Sequence, residues 1–124
     1  MMLQIALYVL AAVLSVSPAV GQDMQATLNN ISKVPIDIRQ KFAVCAYESI
    51  AEKVESGQFP TSWLKDPSHG DDFFLAVEAS CGEHMVAFAK GAKHLGFAPK
   101  DISNMIGLVT ATAATFYADA QKSR

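Results

Sequence analysis

One short stretch places an imidazole beside two carboxylates. In His69-Gly70-Asp71-Asp72 the three side chains could serve acid–base catalysis or weak cation binding. The same run is typical of a turn followed by an aspartate that caps a helix. We therefore interpret it as a helix start and keep catalysis as the alternative.

A second candidate is the Cys81-x-x-His84 pair, because residues three apart on a helix share a face and could both ligate a metal. A closed zinc site needs four ligands, and the other cysteine and histidines are Cys45, His69 and His94. No glycine-rich phosphate loop or nucleophile motif accompanies them. We predict no catalytic residue, no metal and no cofactor. The alternative is a small hydrolase or metal-dependent enzyme that uses His69, Asp71 and Asp72, or His84.

The amino terminus carries the pattern of an export signal. Leu3–Val16 is apolar except for Gln4 and Ser15, and small residues follow it up to Gly21. We predict a signal peptide over residues 1–21 and a single helical domain over residues 22–124. An uncleaved anchor in an envelope component is the alternative, although Pro18 interrupts the run before the ~20 apolar residues that a span needs.

Export to the periplasm or the extracellular space makes Cys45 and Cys81 a disulfide candidate. Both lie near the middle of a predicted helix, about ten residues from the connection between the two helices. At ~1.5 Å per residue each sits ~15 Å from the turn if the helices are antiparallel. The sequence therefore predicts the bond Cys45–Cys81.

Apolar periodicity, prolines and glycines predict four helices in an orthogonal or up-down bundle, with a short first helix and three long ones. Their predicted spans are 23–32, 35–56, 71–95 and 99–121. The second helix has a narrow polar strip, which is typical of a helix packed on two sides. This all-α bundle resembles small periplasmic chaperones and exported immunity or inhibitor proteins in general architecture, and the resemblance rests on no shared motif.

The last helix has an unusual outer face. Residues 102–118 contain no charged side chain, and small residues stand where lysine and glutamate are normal. Small side chains let another helix approach closely. This face comprises Ser103, Asn104, Gly107, Ala111, Ala114, Thr115 and Ala118. We consider two interpretations: a surface for a protein partner or self-association, and a surface that the first helix covers within the chain.

The long connection after the second helix offers Phe59 and Trp63 as a second candidate for partner binding, since aromatic anchors on loops are common in interfaces. The 124-residue chain has a net charge of −2, which provides no electrostatic basis for binding nucleic acid. We expect an exported, non-catalytic protein that binds a protein partner and has no stable membrane span in its mature part.

Overall fold

The computed structural model describes residues 22–122, which form four α-helices. These are α1 (Gln22–Lys33), α2 (Ile36–Glu55), α3 (Gly70–His94) and α4 (Pro99–Lys122). Two 3₁₀ segments, Thr61–Lys65 and Pro67–His69, lie between α2 and α3. This part of the chain contains no β-strand, so the predicted all-α class with one short and three long helices is confirmed. The predicted signal peptide, residues 1–21, lies outside the described residues.

Glycine and proline set the helix ends as the sequence predicts. Gly57 and Gly96 follow the last turns of α2 and α3 with φ of 82° and 94°, a region that suits glycine. After α3 the Phe97 N–H donates to the Ala92 carbonyl at 3.2 Å, which closes the helix end. Pro99 opens α4, where its missing N–H costs no helical hydrogen bond.

All four helices contribute to one hydrophobic core. Helix α2 packs against both α3 and α4, and α4 packs against the other three helices and the first 3₁₀ segment. Fully buried side chains from each helix meet there, for example Ile31, Phe42, Phe88 and Met105. The low charge of α4 therefore has a first explanation: more elements surround this helix than a surface helix normally has.

The contact between α2 and α3, called here the disulfide seam, is closed by three kinds of interaction. Cys45 and Cys81 are disulfide-bonded with their Cα atoms 5.9 Å apart, so the predicted pairing is confirmed. The buried Ser49 hydroxyl donates to the Ala76 carbonyl of α3 at 3.2 Å. The rings of Phe42 and Phe88 lie 5.3 Å apart.

Helix α3 is kinked at the disulfide. Cys81 has φ −120° and ψ 24°, outside the helical region. Ser80 and Gly82 flank it, and serine and glycine pairs are a known cause of sharp helix kinks. Periodicity alone predicts a regular helix here, and the kink is a new observation.

Candidate binding surface

The cysteine chemistry proposed from the sequence is settled by the bond itself. The Cys81 sulfur is bonded to Cys45, so it is not a thiolate that could join His84 in holding a metal. Within residues 22–122, no group of three or more His, Cys, Asp or Glu side chains could hold a metal ion.

His69 is the centre of a small polar cluster at the start of α3. Its Nδ1 lies 3.0 Å from an Asp72 carboxylate oxygen, and its Nε2 lies 3.8 Å from an Asp66 oxygen. The ring also stacks on Trp63 with centroids 3.9 Å apart and an interplanar angle of 8°. Nδ1 and one ring face are therefore occupied within the chain, whereas the Asp66 oxygen is too far from Nε2 for a hydrogen bond.

The Asp66 carboxylate is held by the turn that follows it. It accepts hydrogen bonds from the Ser68 hydroxyl at 2.7 Å and the Ser68 backbone N–H at 3.0 Å. The Ser68 hydroxyl, the Ser68 N–H and the charge of His69 together lower the pKa of Asp66. Because the hydroxyl donates to Asp66, it is not paired with a histidine base in the manner of an activated nucleophile.

The histidines do not converge. His84 lies 15 residues after His69 along α3, which corresponds to ~22 Å of helix. Asp71 is exposed, and its neighbour Asp72 contacts His69. The structure thus joins His69 to Asp66 and Asp72, and leaves Asp71 and His84 apart from that contact.

The aromatic residues of the connection pack against one another. Phe59 lies 5.2 Å from Trp63 and 5.4 Å from the buried Phe73, measured between ring centroids. With the stack on His69, they form a row that extends from the core to the surface. Leu64 of the first 3₁₀ segment is buried, so this turn covers an edge of the core.

The outer face of α4 divides into exposed and buried positions. Ser103, Asn104, Gly107, Ala111 and Thr115 are exposed. By contrast, Ala114 and Ala118 are 3% and 8% exposed and belong to the core. Helix α1 packs against α4, yet it does not cover the exposed group.

Four of these exposed residues line an open groove of about 550 Å³, called here the central groove: Ser103, Gly107, Ala111 and Thr115. The opposite wall comes from the 3₁₀ segments and the first turn of α3, including Lys65, Asp66 and Asp71. Lys65 bridges to Asp119 of α4 at 2.7 Å. That hydrogen bond raises the pKa of Lys65 and lowers the pKa of Asp119.

A second groove of about 490 Å³, called here the basic groove, lies between the later part of α3 and the first turns of α4. Most of its lining is apolar, and its charged side chains are Lys90 and Lys93. Phe74 and Ser103 line both grooves. Taken alone, two lysines near the end of α3 are typical of a solvated helix end, where the helix dipole favours positive charge. The apolar residues beside them come from two helices, a neighbourhood that spacing along one helix does not reveal.

Comparison with protein-family models, curated proteins and solved structures finds no match to this chain. In the described part of the chain, no helix has the length and apolar character needed to span a membrane.

Proposed function

We propose that this protein is exported and acts without catalysis by binding a protein partner in the central groove. The observation that carries the proposal is Gly107. A Cβ added at this position would meet nothing within 4 Å, so packing within the chain does not require a glycine there. Glycine inside a helix costs about 1 kcal/mol relative to alanine, so folding alone favours a larger residue at this point.

The neighbouring positions extend the same surface along α4. Ser103, Gly107, Ala111 and Thr115 recur every four residues, and all are exposed along the groove. Such a row allows the backbone of a partner helix to lie close to α4, where van der Waals contacts become extensive. Lys65 and Asp71 on the opposite wall supply a rim of both charges, which suits the polar edge of a protein interface.

The export part of the proposal depends on two features. The disulfide is typical of proteins that fold in an oxidising compartment. The apolar segment Leu3–Val16 followed by small residues is typical of a signal peptide. We propose a periplasmic or extracellular location on these grounds.

The arrangement around His69 supports a structural role for the histidine. The Asp72 carboxylate contacts its Nδ1 at 3.0 Å, the Asp66 carboxylate lies 3.8 Å from its Nε2, and Trp63 covers one face of the ring. These contacts tie the second 3₁₀ segment to the first turn of α3, and they shape one wall of the central groove.

Site-specific photocrosslinking in the producing host tests the partner proposal. A benzophenone amino acid replaces Ala111, and the matched control replaces Ala79, an exposed alanine in the middle of α3. We expect a cross-linked product of one defined mass from position 111 and none from position 79. Adding Gly107→Leu to the position-111 variant should abolish the cross-linked product, because the leucine side chain prevents the partner from lying close to α4. The proposal fails if position 111 gives no product, or if both positions give the same one.

A further inference from the structure

We propose that the basic groove binds a free long-chain carboxylate, with its hydrocarbon chain along the cleft and its head group at Lys90 and Lys93. This inference goes beyond the proposed function because it concerns a different groove and a small amphiphile. It rests on the composition of the lining, its size and its charge.

The lining of the basic groove is suited to the hydrocarbon part of a ligand. Apart from the two lysines and Ser103, it consists of Phe74, Val86, Ala89, Phe97, Pro99, Ile102 and Ile106. Val86 is 52% exposed, so it offers hydrocarbon surface that the core does not use. A volume of about 490 Å³ falls in the range of small-molecule sites. Each methylene buried in such a cleft raises affinity about fourfold.

The charge of the groove has one sign. No carboxylate lines it, and neither Lys90 nor Lys93 forms an ion pair with any residue in the described range 22–122. A third cation lies close by, since the Lys33 Nζ is 5.9 Å from the centroid of the Phe97 ring. An apolar cleft with unpaired ammonium groups complements a ligand with an apolar chain and one negative head.

Two other classes of occupant fit these observations less well. A neutral apolar solute would leave both ammonium groups without an anion. A protein interface normally has few lysines at its buried centre, whereas Lys90 and Lys93 are both part of the lining of this cleft. The long-chain carboxylate satisfies the apolar lining and the positive charge together.

Calorimetric titration of the purified, disulfide-bonded protein with dodecanoate tests the proposal. The dodecanoate concentration is kept below the value at which micelles form. The control ligand is dodecyltrimethylammonium, which has the same chain and the opposite charge. We expect one dodecanoate per chain and at least tenfold weaker binding of the cationic amphiphile. Equal affinity for the two ligands, or no dodecanoate binding up to about 1 mM, overturns the proposal.

Variants of residues that line the basic groove test whether dodecanoate binds there. The double variant Lys90→Gln/Lys93→Gln should bind dodecanoate about tenfold more weakly, by loss of two partly exposed ion pairs. Lys41→Gln, an exposed lysine on α2, is the matched control and should leave affinity unchanged. The separate variant Ala89→Leu narrows the cleft at a half-buried position and should also reduce the affinity for dodecanoate. Circular dichroism checks that this variant keeps the helical fold. If the lysine double variant keeps wild-type affinity, the ligand binds elsewhere and the proposal is wrong.

Discussion

The two long contacts made by α3 differ in how completely they are closed. Against α2, the disulfide, the Ser49 hydrogen bond and the Phe42–Phe88 ring pair join the two helices along the disulfide seam. Against α4, the inner side is packed into the core, but the outer side opens into the central and basic grooves. One helix therefore has a seam that stabilises the fold and a second side that remains accessible.

This contrast indicates that the two sides of α3 have different roles, one in stability and one in binding. The disulfide seam ties α3 to the core through covalent, polar and aromatic contacts, so the outer α3–α4 face does not need to be filled for the protein to fold. Residues there, such as Gly107 and Val86, can remain small or exposed without loss of the core.

The largest effect should come from truncating an aromatic in the disulfide seam. Phe88→Ala should destabilise the protein by about 3–5 kcal/mol, because it removes a fully buried ring and leaves a cavity. Val86→Ala, two residues away but facing the basic groove, should change stability by less than about 0.5 kcal/mol. Chemical denaturation measures both, and similar losses in the two variants would break the contrast between the sides of α3.

Removing the disulfide should have the next largest effect. The bond joins residues 36 positions apart, and releasing that constraint on the unfolded chain should cost about 3–4 kcal/mol. The variant Cys45→Ala/Cys81→Ala, compared with wild type by thermal unfolding, measures the loss. An unchanged midpoint would show that packing alone holds the disulfide seam together.

The buried hydroxyl of Ser49 should contribute less. Ser49→Ala removes the hydrogen bond to the Ala76 carbonyl and should destabilise the protein by about 1 kcal/mol. Ser103→Ala on the open side of α4 is the control, and we expect a change within about 0.5 kcal/mol. Urea midpoints of the two variants give the comparison, which fails if Ser103→Ala is the more damaging.

The exposed bridge between Lys65 and Asp119 should have the smallest effect. The pKa of Asp119 is lowered in the folded state, so its stabilising contribution is present at neutral pH and is lost as pH falls below its ordinary value of 3.8. Asp119→Asn should therefore lower the thermal midpoint slightly at pH 7, and the difference from wild type should shrink in acid. A difference that grows in acid would contradict the pairing.

The helices and the disulfide were predictable because their signals are local. Pro99, Gly57 and Gly96 mark helix ends by their backbone preferences, and the cysteines lie at matching heights on neighbouring helices. The Cys81 kink was not predicted, because apolar periodicity is the same on both sides of it; the flanking Ser80 and Gly82 were the available signal.

The surfaces were harder to predict because they form between elements distant in sequence. The exposed row on α4 was recognised from its missing charges, but burial of Ala114 and Ala118 depends on what packs over them. Likewise, Trp63 was identified as an aromatic on a connection, whereas its stack on His69 depends on how the two 3₁₀ segments fold together. The basic groove brings Lys90 and Lys93 beside residues of α4 that no local pattern connects to them.

One matched substitution tests the central contrast most directly: alanine to leucine at Ala46 and at Ala111, with unfolding free energies measured in denaturant. Ala46 lies on α2 between Phe42 and Ser49 and has no exposed surface, so the added side chain should overpack the core and cost about 1–3 kcal/mol. At Ala111, on the exposed face of α4, leucine should change stability by less than about 0.5 kcal/mol. An Ala111→Leu variant as unstable as Ala46→Leu would show that the outer face of α4 is packed core, and it would contradict the account.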